Sequence, residues 1–259
     1  IYKYNGKSII NWCSNDYNRS IQNFDLINSV TNFIKKNGLG SGGTRNISGT
    51  TPQHRRLENR VALLHKKDSG LLFNSGFLAN LSTLESLGII FPDAVIYSDE
   101  LNHSSIVKGI KLSNCKKIIF PHNDMNYLED KLKISKSKYN IIVVESMYSM
   151  DGSITNFHDL IYLKKKYNAL IFIDEIHTVG LYGKNGAGLV EHFNLQPHFD
   201  IVMGGFGKGF GTIGGYIAGD KNLIDCVRST GSGFIFTTSI PPCLAYGSLL
   251  SIRKNRKHL

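Results

Sequence analysis

The 259-residue sequence has little cysteine and no long run of apolar residues. Its cysteines stand far apart and form no Cys-x-x-Cys pair, so the usual spacing of a zinc site or a redox couple is missing. We expect free thiols in a reducing compartment at Cys13, Cys115, Cys226 and Cys243. No apolar run approaches the roughly 18 residues that a membrane-spanning helix needs. We therefore expect a globular protein with no membrane partner.

The sequence also lacks a balance of charge, because 30 lysines and arginines stand against 20 aspartates and glutamates, a net charge of +10. The basic residues are spread along the chain, without the aromatic-interleaved basic stripe that is typical of nucleic-acid binders. We therefore expect no nucleic-acid partner. Two interpretations of the charge stay open: a compositional drift toward lysine and asparagine, and the attraction of anionic small molecules.

The most distinctive stretch is residues 201–216, IVMGGFGKGFGTIGGY, in which Lys208 lies among seven glycines. So much glycine indicates a backbone pressed close against a neighbour. A phosphate-binding loop is excluded, because Val202 and Gly209 stand where that motif needs a glycine and a serine or threonine. A dinucleotide fingerprint can be drawn through three of the glycines, but no acidic residue follows at the distance that ribose binding requires. Two interpretations remain, a solvated loop lysine or a partly buried amine that can form a Schiff base with an aldehyde.

Apolar runs and helix-like segments alternate along most of the chain. The apolar runs predict strands at residues 70–73, 94–97, 117–120, 140–145, 169–173 and 200–203. Two more strands are predicted, an antiparallel one at residues 216–218 and another at 234–238. Helices are predicted at residues 52–65, 77–88, 104–112, 125–133, 157–167 and 221–229, and from residue 241 onward. This alternation predicts an α/β fold with a mostly parallel sheet that helices cover on both faces.

In such sheets a ligand lies outside the carboxyl ends of the strands, and several polar residues directly follow the apolar runs. Ser75 opens a turn at a predicted helix N-terminus, where main-chain N–H groups suit a phosphate. His103, Asp174 and Lys208 follow three other runs. Taken singly, the serine is explained as a helix cap and the histidine as an exposed loop residue. Asp174 and His177 lack the third and fourth ligands of a metal site, so we predict no metal.

One cofactor would use all of these groups, because it carries a phosphate, an aromatic nitrogen ring and an aldehyde. That cofactor is pyridoxal 5'-phosphate. Its phosphate would bind at Ser75, its ring would stack on His103, and its ring nitrogen would pair with Asp174. Lys208 would condense with the aldehyde and then act as a general base beside the substrate.

Eight segments of the sequence resemble the pyridoxal-phosphate-dependent α-oxoamine synthases, and the resemblance runs from about the first residue to the last. The segments are WCSNDY (12–17), GSGGTRNISGT (40–50), FNSGFLAN (73–80), YSDELNHSSI (97–106), ESMYSMDG (145–152), FIDEIHTVGLYG (172–183), GKGFG (207–211) and GFIFTTSIPP (233–242). The resemblance implies the large domain of a fold type I pyridoxal-phosphate-dependent transferase, an α/β fold with a mostly parallel seven-stranded sheet and helices on both faces.

The resemblance also divides the chain into three parts. Residues 1–50 would form an N-terminal segment with a glycine-rich substrate loop, and residues 51–242 the cofactor-binding large domain. Residues 243–259 would begin the connection to a small domain that carries the arginine for the amino-acid carboxylate. Because the chain opens on Ile1 without a methionine and stops before that domain, we expect it to be a fragment without a complete site.

Individual roles follow from the same resemblance. Catalytic roles fall on Lys208, which would carry the cofactor, on Asp174, and on His177, which would hydrogen-bond the ring hydroxyl. The remaining cofactor contacts would be Ser75, Gly76, Phe77, His103, Ser149, Thr237 and Thr238, the last two reaching the phosphate of a neighbouring subunit in a homodimer. The substrate contacts would be Asn15 and Thr44 at the glycine pocket, Asn46 and Ile47 along the succinyl chain, and Ser98 and Lys117 at the acyl-CoA.

The implied reaction condenses glycine with succinyl-CoA to give 5-aminolevulinate, CoA and CO2, the first step of haem biosynthesis. The loop TRNISGT (44–50) favours this member of the family. One alternative is a sister enzyme that uses another amino acid and acyl-CoA, such as the member that makes 8-amino-7-oxononanoate. Resemblance to eukaryotic members implies the mitochondrial matrix, with the bacterial cytoplasm as the alternative.

A second alternative is an inactive homologue that binds the cofactor, and it rests on Gly205. The family commonly has threonine at this position, where the hydroxyl helps to hold the phosphate. Its loss would remove one charge-assisted hydrogen bond, on the order of 1.5–3 kcal/mol. We therefore expect weakened cofactor affinity.

Overall fold

The computed structural model describes residues 2–255 of the chain. The strands in this part are Tyr2–Tyr4 (β1), Lys7–Ile9 (β2), Ser69–Phe73 (β3), Val95–Asp99 (β4), Lys116–Phe120 (β5), Asn140–Glu145 (β6), Leu170–Asp174 (β7), Ile201–Gly205 (β8) and Gly215–Gly219 (β9). The α-helices are Phe24–Asn37 (α1), Pro52–His65 (α2), Gly76–Ile90 (α3), Ser104–Leu112 (α4), Met125–Lys133 (α5), Phe157–Tyr167 (α6), Leu189–His192 (α7), Lys221–Thr230 (α8), Ser232–Ile235 (α9) and Pro242–Asn255 (α10). Short 3-10 helices lie at Ser20–Gln22 and Gln196–His198.

Seven of the strands form one sheet in the order β3-β9-β8-β7-β6-β4-β5. Neighbouring strands are parallel except at β9, which pairs antiparallel with both β3 and β8. Strands β1 and β2 form a separate antiparallel pair. The strands predicted between residues 70 and 203, the antiparallel strand at 216–218 and the mostly parallel seven-stranded sheet are therefore confirmed.

Alternate residues of the central strand β6 pack on opposite faces of the sheet, as the two-residue repeat of a strand requires. Ile141 and Val143 belong to a buried cluster with side chains of α3, α4 and α8. Ile142 and Val144 belong to a second cluster with side chains of α5 and α6. A third cluster joins α2 and α10 to β3 and β9. Helices thus cover both faces, which explains why β6 is apolar in consecutive positions.

The predicted helices begin directly after the N-cap residues that their sequences contain. Helix α2 begins at Pro52, and the N–H of Thr51 donates to Nδ1 of His54 at 3.0 Å in a reciprocal cap. Helix α3 begins after Ser75, whose Oγ accepts the N–H of Leu78 at 3.2 Å. All the predicted helices are confirmed, with ends that differ by no more than two residues.

The strand predicted at residues 234–238 is wrong. The short helix α9 covers the first part of this run, and Thr238 makes only an isolated bridge with Thr44. Phe234 packs edge-to-face on Phe73, with ring centroids 6.0 Å apart, so its apolar surface is buried in the helix layer. A short run of apolar and β-branched residues fits a helix or a strand, and here the packing decides.

Within residues 2–255, no helix combines the length and the apolar character that crossing a bilayer would need. All four cysteines lie in this range and are unpaired. Cys115 and Cys243 are buried, whereas Cys13 and Cys226 are exposed.

Candidate active site

Lys208 lies in the loop that joins β8 to β9. A main-chain hydrogen bond from the N–H of Phe206 to the oxygen of Gly214, at 2.9 Å, closes this loop. Gly209 packs on the loop that follows β7, because a Cβ there would lie 2.3 Å from the oxygen of Val179. The glycines therefore permit the close backbone approach that the sequence indicated, and they leave the Lys208 side chain half-buried.

Lys208 contacts His177, and polar contacts continue from there to the N-terminal segment. The Nζ of Lys208 lies 2.6 Å from Nε2 of His177. The Nδ1 of His177 lies 3.0 Å from the hydroxyl of Tyr17, which lies 3.3 Å from Oδ1 of Asn15. When a protonated Lys208 donates to Nε2, Nδ1–H donates to Tyr17 and the Tyr17 hydroxyl donates to Asn15. All three contacts can therefore be hydrogen bonds at the same time, with the donors running from Lys208 toward Asn15.

Burial sets the protonation of this pair. Burial and the adjacent charge of Lys208 lower the pKa of His177 to about 4, so the imidazole is neutral at neutral pH. Burial also lowers the pKa of Lys208, although the carboxylates of Asp174 and Glu145 oppose this shift. The amine therefore loses its proton more easily than a solvated lysine does. This supports the partly buried amine over the solvated loop lysine.

Asp174 ends β7 and is buried between two N–H donors. The Nδ2 of Asn80 donates to Oδ2 at 2.7 Å, and the N–H of Ile176 donates to Oδ1 at 2.8 Å. Burial raises the pKa of Asp174, whereas these donors and the charge of Lys208 act in the opposite direction. The carboxylate is thus held in one place by hydrogen bonds that favour its charged form.

His103 caps α4 and is linked to Asp174 through two buried side chains. Its Nδ1 accepts the N–H of Ser105 at 3.2 Å and lies 2.7 Å from Oγ of Ser105. That Oγ accepts Nδ2 of Asn80 at 3.0 Å, and the same amide donates to Asp174. The main-chain N–H of His103 donates to Oε1 of Glu145 at 2.5 Å. His103 and Asp174 therefore belong to one hydrogen-bonded network.

The N-terminus of α3 supplies a turn with available N–H groups. Ser75 is the N-cap, and the N–H groups of Gly76 and Phe77 lie in the first turn, where a helix has no acceptor of its own. Gly215 packs directly against this turn, because a Cβ there would lie 2.6 Å from the nitrogen of Gly76. The N–H groups without an acceptor in the helix and the helix dipole suit an anion such as a phosphate.

Thr237 and Thr238 lie beside this turn in the same chain. The Nδ2 of Asn74 donates to the oxygen of Thr238 at 2.7 Å and to Oγ1 of Thr237 at 3.3 Å. Asn74 directly precedes Ser75, so the two threonines come close to the anion-binding turn. Their contact with the phosphate of a neighbouring subunit stays a prediction.

The glycine-rich loop at residues 38–50 is anchored to the same region. Thr44 bridges to Thr238, and the N–H groups of Ile47 and Gly49 donate to the oxygen of Thr44 at 3.2 and 2.7 Å. Asn46 and Ile47 are exposed, and 87% of the Ile47 surface is accessible. Their contact with a succinyl chain stays a prediction.

Three other residues with an expected role lie apart from the Lys208 contacts. Ser98 is buried at the end of β4, where its Oγ accepts Nδ2 of Asn102 at 2.9 Å. Lys117 is exposed on the edge strand β5, four strand positions from β8. Ser149 lies on an exposed turn after β6. Their roles toward acyl-CoA and the cofactor stay predictions.

Gly205 lies against the side chain of Ile176. A Cβ at Gly205 would lie 2.8 Å from Cγ1 and 2.9 Å from Cδ1 of Ile176, and a Cβ at Gly76 would lie 2.5 Å from Cδ1. Ile176 therefore fills space that two side chains would otherwise need. A threonine at position 205 would require Ile176 to move.

Four members of these networks had no role assigned from the sequence, namely Tyr17, Asn80, Ser105 and Glu145. Tyr17 lies 160 residues from His177 along the chain, and nothing in its own segment indicates that contact. Asn80 did carry a signal, because a polar residue in the apolar part of a helix indicates a buried polar contact. Glu145 carried one as well, since it ends a strand at the sheet edge that bears the other site residues.

Within residues 2–255, no group of three or more histidine, cysteine, aspartate or glutamate side chains is arranged to hold a metal ion. The chemical groups that converge are an amine of lowered pKa, a buried carboxylate, a neutral imidazole and an anion-binding turn. Such a set suits a cofactor with an aldehyde, a ring nitrogen and a phosphate.

The chain belongs to the aminotransferase class I and II family, whose model matches residues 7–251. Within it, the chain is 48% identical over 252 residues to the 5-aminolevulinate synthase of Rickettsia prowazekii (strain Madrid E), a match that covers 97% of this chain and 61% of the relative. It is 47% identical over 249 residues to the erythroid-specific, mitochondrial 5-aminolevulinate synthase of Danio rerio, which covers 96% of this chain and 43% of the relative. The family resemblance seen in the sequence is confirmed.

A solved structure agrees with this placement. The serine palmitoyltransferase of S. paucimobilis, solved with a bound PLP-myriocin aldimine, superposes with a TM-score of 0.89 at 29% sequence identity. The match covers 95% of this chain and 61% of that chain. The fold type I expectation is confirmed. The chain spans about 60% of the length of the bacterial relatives that it matches.

Proposed function

We propose that this chain forms the pyridoxal-phosphate-binding part of an enzyme that condenses glycine with succinyl-CoA to 5-aminolevulinate, CoA and CO2, in the first step of haem biosynthesis. The observation that carries the proposal is the contact of a half-buried Lys208 with His177 beside the buried Asp174. The 48% identity to a 5-aminolevulinate synthase supports this choice of reaction.

The residues present fit pyridoxal phosphate. The first turn of α3, after Ser75, would hold the phosphate with its N–H groups. His103 would stack on the ring, Asp174 would face the ring nitrogen and His177 would bond the ring hydroxyl. Lys208 would bind the aldehyde carbon. The glycines of the loop between β8 and β9 leave room beside the lysine.

When bound, the cofactor supplies an electron sink for the negative charge that develops at the α-carbon of an amino acid. The Asp174 carboxylate would hold a proton on the ring nitrogen, because an opposed charge raises the pKa of that nitrogen. The Nζ of Lys208 would take the α-proton and return it, since its lowered pKa makes the amine easier to deprotonate than a solvated lysine. Before the cofactor binds, Nε2 of the neutral His177 would accept a hydrogen bond from Nζ, and the same nitrogen would bond the ring hydroxyl afterwards.

The substrate contacts are proposed by position. Asn15 reaches the lysine through Tyr17 and His177, so it would border the amino-acid pocket with Thr44. A small pocket favours glycine. The exposed loop residues after Thr44 would meet the succinyl chain. A homodimer would place the threonines at 237 and 238 at a shared site.

The compartment is proposed from the relatives. They include bacterial and mitochondrial proteins, so a mitochondrial matrix location and a bacterial cytoplasmic one are both consistent with the family. We propose the matrix, and imaging of a tagged full-length protein in its own cell would test it.

The first test traps the cofactor on the full-length gene product. Reduction with borohydride in the presence of pyridoxal phosphate should fix the cofactor to the peptide that contains Lys208, as mapped by mass spectrometry. The Lys208→Ala variant should bind the cofactor without covalent attachment and should not turn over. Normal turnover by this variant would contradict the assigned role.

The second test compares substrates. Glycine with succinyl-CoA should yield 5-aminolevulinate, whereas alanine and serine should react poorly, because a small pocket lacks room for their side chains. A preference for another amino acid or acyl-CoA would identify a sister α-oxoamine synthase instead, a possibility that the likeness to a serine palmitoyltransferase keeps open. Cofactor binding without turnover of any pair would identify an inactive homologue.

A further inference from the structure

Two buried carboxyl groups end neighbouring strands beside Lys208. Glu145 is the last residue of β6, Asp174 is the last residue of β7, and the two are paired in the parallel register. Both are 3% exposed. The function proposed above uses Asp174 and leaves Glu145 without a task. Burying a second carboxyl group beside Asp174 costs free energy, so the contacts of Glu145 indicate its role.

The two acids serve different parts of the structure. Asp174 accepts N–H groups from Asn80 and Ile176, which belong to α3 and to its own loop. Glu145 accepts the main-chain N–H of His103 at 2.5 Å. His103 is the N-cap of α4, so this hydrogen bond joins the start of that helix to the end of β6.

The side chain of His103 is held separately. Its Nδ1 accepts the N–H of Ser105, and the Oγ of Ser105 accepts the amide of Asn80. Ser105 Oγ can therefore donate its own hydrogen to Nδ1, at 2.7 Å. With Nδ1 occupied as an acceptor, the neutral ring carries its hydrogen on Nε2. Glu145 therefore holds the main chain of His103, whereas Ser105 and Asn80 link the His103 ring to Asp174.

The surroundings of the two acids differ in how strongly they favour the charged form. Burial and the negative charge of Asp174 raise the pKa of Glu145 to about 8, against an opposing effect of the His103 N–H. Asp99 raises this pKa further, and Lys208 opposes the rise. Asp174 accepts two N–H groups where Glu145 accepts one, so hydrogen bonds favour the charged form more strongly at Asp174.

We propose that Glu145 is a positioning residue for His103: its carboxyl oxygen accepts the main-chain N–H of His103 and so fixes the start of α4 beside the end of β6. The consequence of this hydrogen bond, the placement of the His103 imidazole against the cofactor ring, rests on the proposed function. The hydrogen bond itself is testable in the protein without cofactor.

The first measurement is amide hydrogen exchange of the full-length protein without cofactor. In Glu145→Ala the amides at residues 101–106 should exchange roughly tenfold faster, the effect of losing one buried hydrogen bond. Glu145→Gln keeps an acceptor oxygen and should retain the protection. Glu145→Asp keeps the carboxyl group but is one methylene shorter, so it should behave like the alanine variant.

Glu175 provides the control, because it is another buried acid and directly follows Asp174 in the chain. Its carboxylate accepts the N–H groups of Leu189 at 3.1 Å and Val190 at 2.7 Å, away from His103. Glu175→Ala should speed exchange at residues 188–192 and leave residues 101–106 within about twofold of the parent. Equal exchange at 101–106 in the Glu145→Ala, Glu145→Asp and parent proteins would overturn the proposal.

The second measurement is pyridoxal phosphate affinity, followed by visible circular dichroism of the bound cofactor. Glu145→Asp should weaken binding by about tenfold and change the dichroic band, because the ring packs against a displaced imidazole. Glu145→Gln should restore both, and Glu175→Gln should leave both unchanged. Equal weakening in the Glu145→Asp and Glu175→Gln variants would show a purely structural role and overturn the proposal.

The two proposals fail in different ways. If the parent protein does not bind pyridoxal phosphate, the proposed function is contradicted. Hydrogen exchange at residues 101–106 in the protein without cofactor then still tests whether Glu145 holds the main chain of His103. A parent that binds and turns over, combined with unchanged exchange at residues 101–106 in Glu145→Asp, contradicts only the inference about Glu145.

Discussion

The replacement Gly205→Ala tests whether Ile176 fills the space at the end of β8. The added Cβ would lie 2.8 Å from Cγ1 and 2.9 Å from Cδ1 of Ile176, whereas carbon atoms pack at about 3.5–4.0 Å. Overpacking of this kind costs about 1–3 kcal/mol. Gly205 has no positive φ, so alanine also stabilises by about 0.4–1 kcal/mol through the unfolded chain. We expect a net loss of about 1–2 kcal/mol in the free energy of unfolding.

A double-mutant cycle with Ile176→Ala isolates this contact. The Ile176→Ala variant lacks both carbon atoms, so Gly205→Ala in that background keeps only its stabilising effect on the unfolded chain. The two substitutions should therefore couple by about 1–3 kcal/mol.

The assay is urea unfolding of the full-length protein without cofactor, followed by far-ultraviolet circular dichroism. With an m-value of about 3 kcal/mol/M, a loss of about 1.5 kcal/mol lowers the midpoint by about 0.5 M. Gly207→Ala is the control, because its Cβ would meet only the oxygen of Thr212, at 3.7 Å. The reasoning is refuted if Gly205→Ala shifts the midpoint equally in both backgrounds, or if Gly207→Ala shifts it as far.

Three further predictions concern buried polar groups. Burial raises the pKa of Glu175 to about 7 from 4.5, so the contribution of this group to stability is full below pH 4.5 and falls by about 1.4 kcal/mol per pH unit up to pH 7; Glu175→Gln should remove that contribution to the pH dependence in urea unfolding. Burial lowers the pKa of His65 to about 3 from 6.5, so the contribution of His65 is full above pH 6.5 and falls with the opposite slope as the pH drops toward 3. Tyr216→Phe removes the hydroxyl 2.8 Å from Nε2 of His65 and should cost about 1–3 kcal/mol at pH 8, measured by thermal unfolding; no loss would contradict the contact. Arg45→Met removes the arginine that lies 2.9 Å from the buried Glu58, which keeps the N–H of Leu72 at 3.2 Å and Arg228 at 3.9 Å, so the change should cost about 1–3 kcal/mol in urea unfolding; Arg45→Met with Glu58→Gln should recover part of it, and no cost would contradict a stabilising pair.

Much of the fold was predictable because its strands are buried on both faces. A run such as residues 140–145 is apolar in consecutive positions, and the intervening helices carry ordinary capping signals. The strand predicted at 234–238 failed because the burial of Phe234 against Phe73 depends on contacts that no local pattern contains.

The central site residues were predictable for a related reason. Carboxyl ends of parallel strands meet at one edge of a sheet, so Asp174, His103 and Lys208 were expected together before any distance was known. The contact of Tyr17 with His177 was not predictable, because it joins segments 160 residues apart. The burial of Ser98 beneath Asn102 was equally hidden from the sequence.

The sequence by itself determined the order of the elements, the sheet edge that carries the chemistry and the presence of a lysine among glycines. Only the tertiary structure decided the charge of each group, because a pKa depends on burial and on neighbours that distant segments supply. His177 is neutral since Lys208 and the surrounding protein displace water from it. Burial and the charge of Asp174 raise the pKa of Glu145, because the parallel register of β6 and β7 sets the two acids side by side.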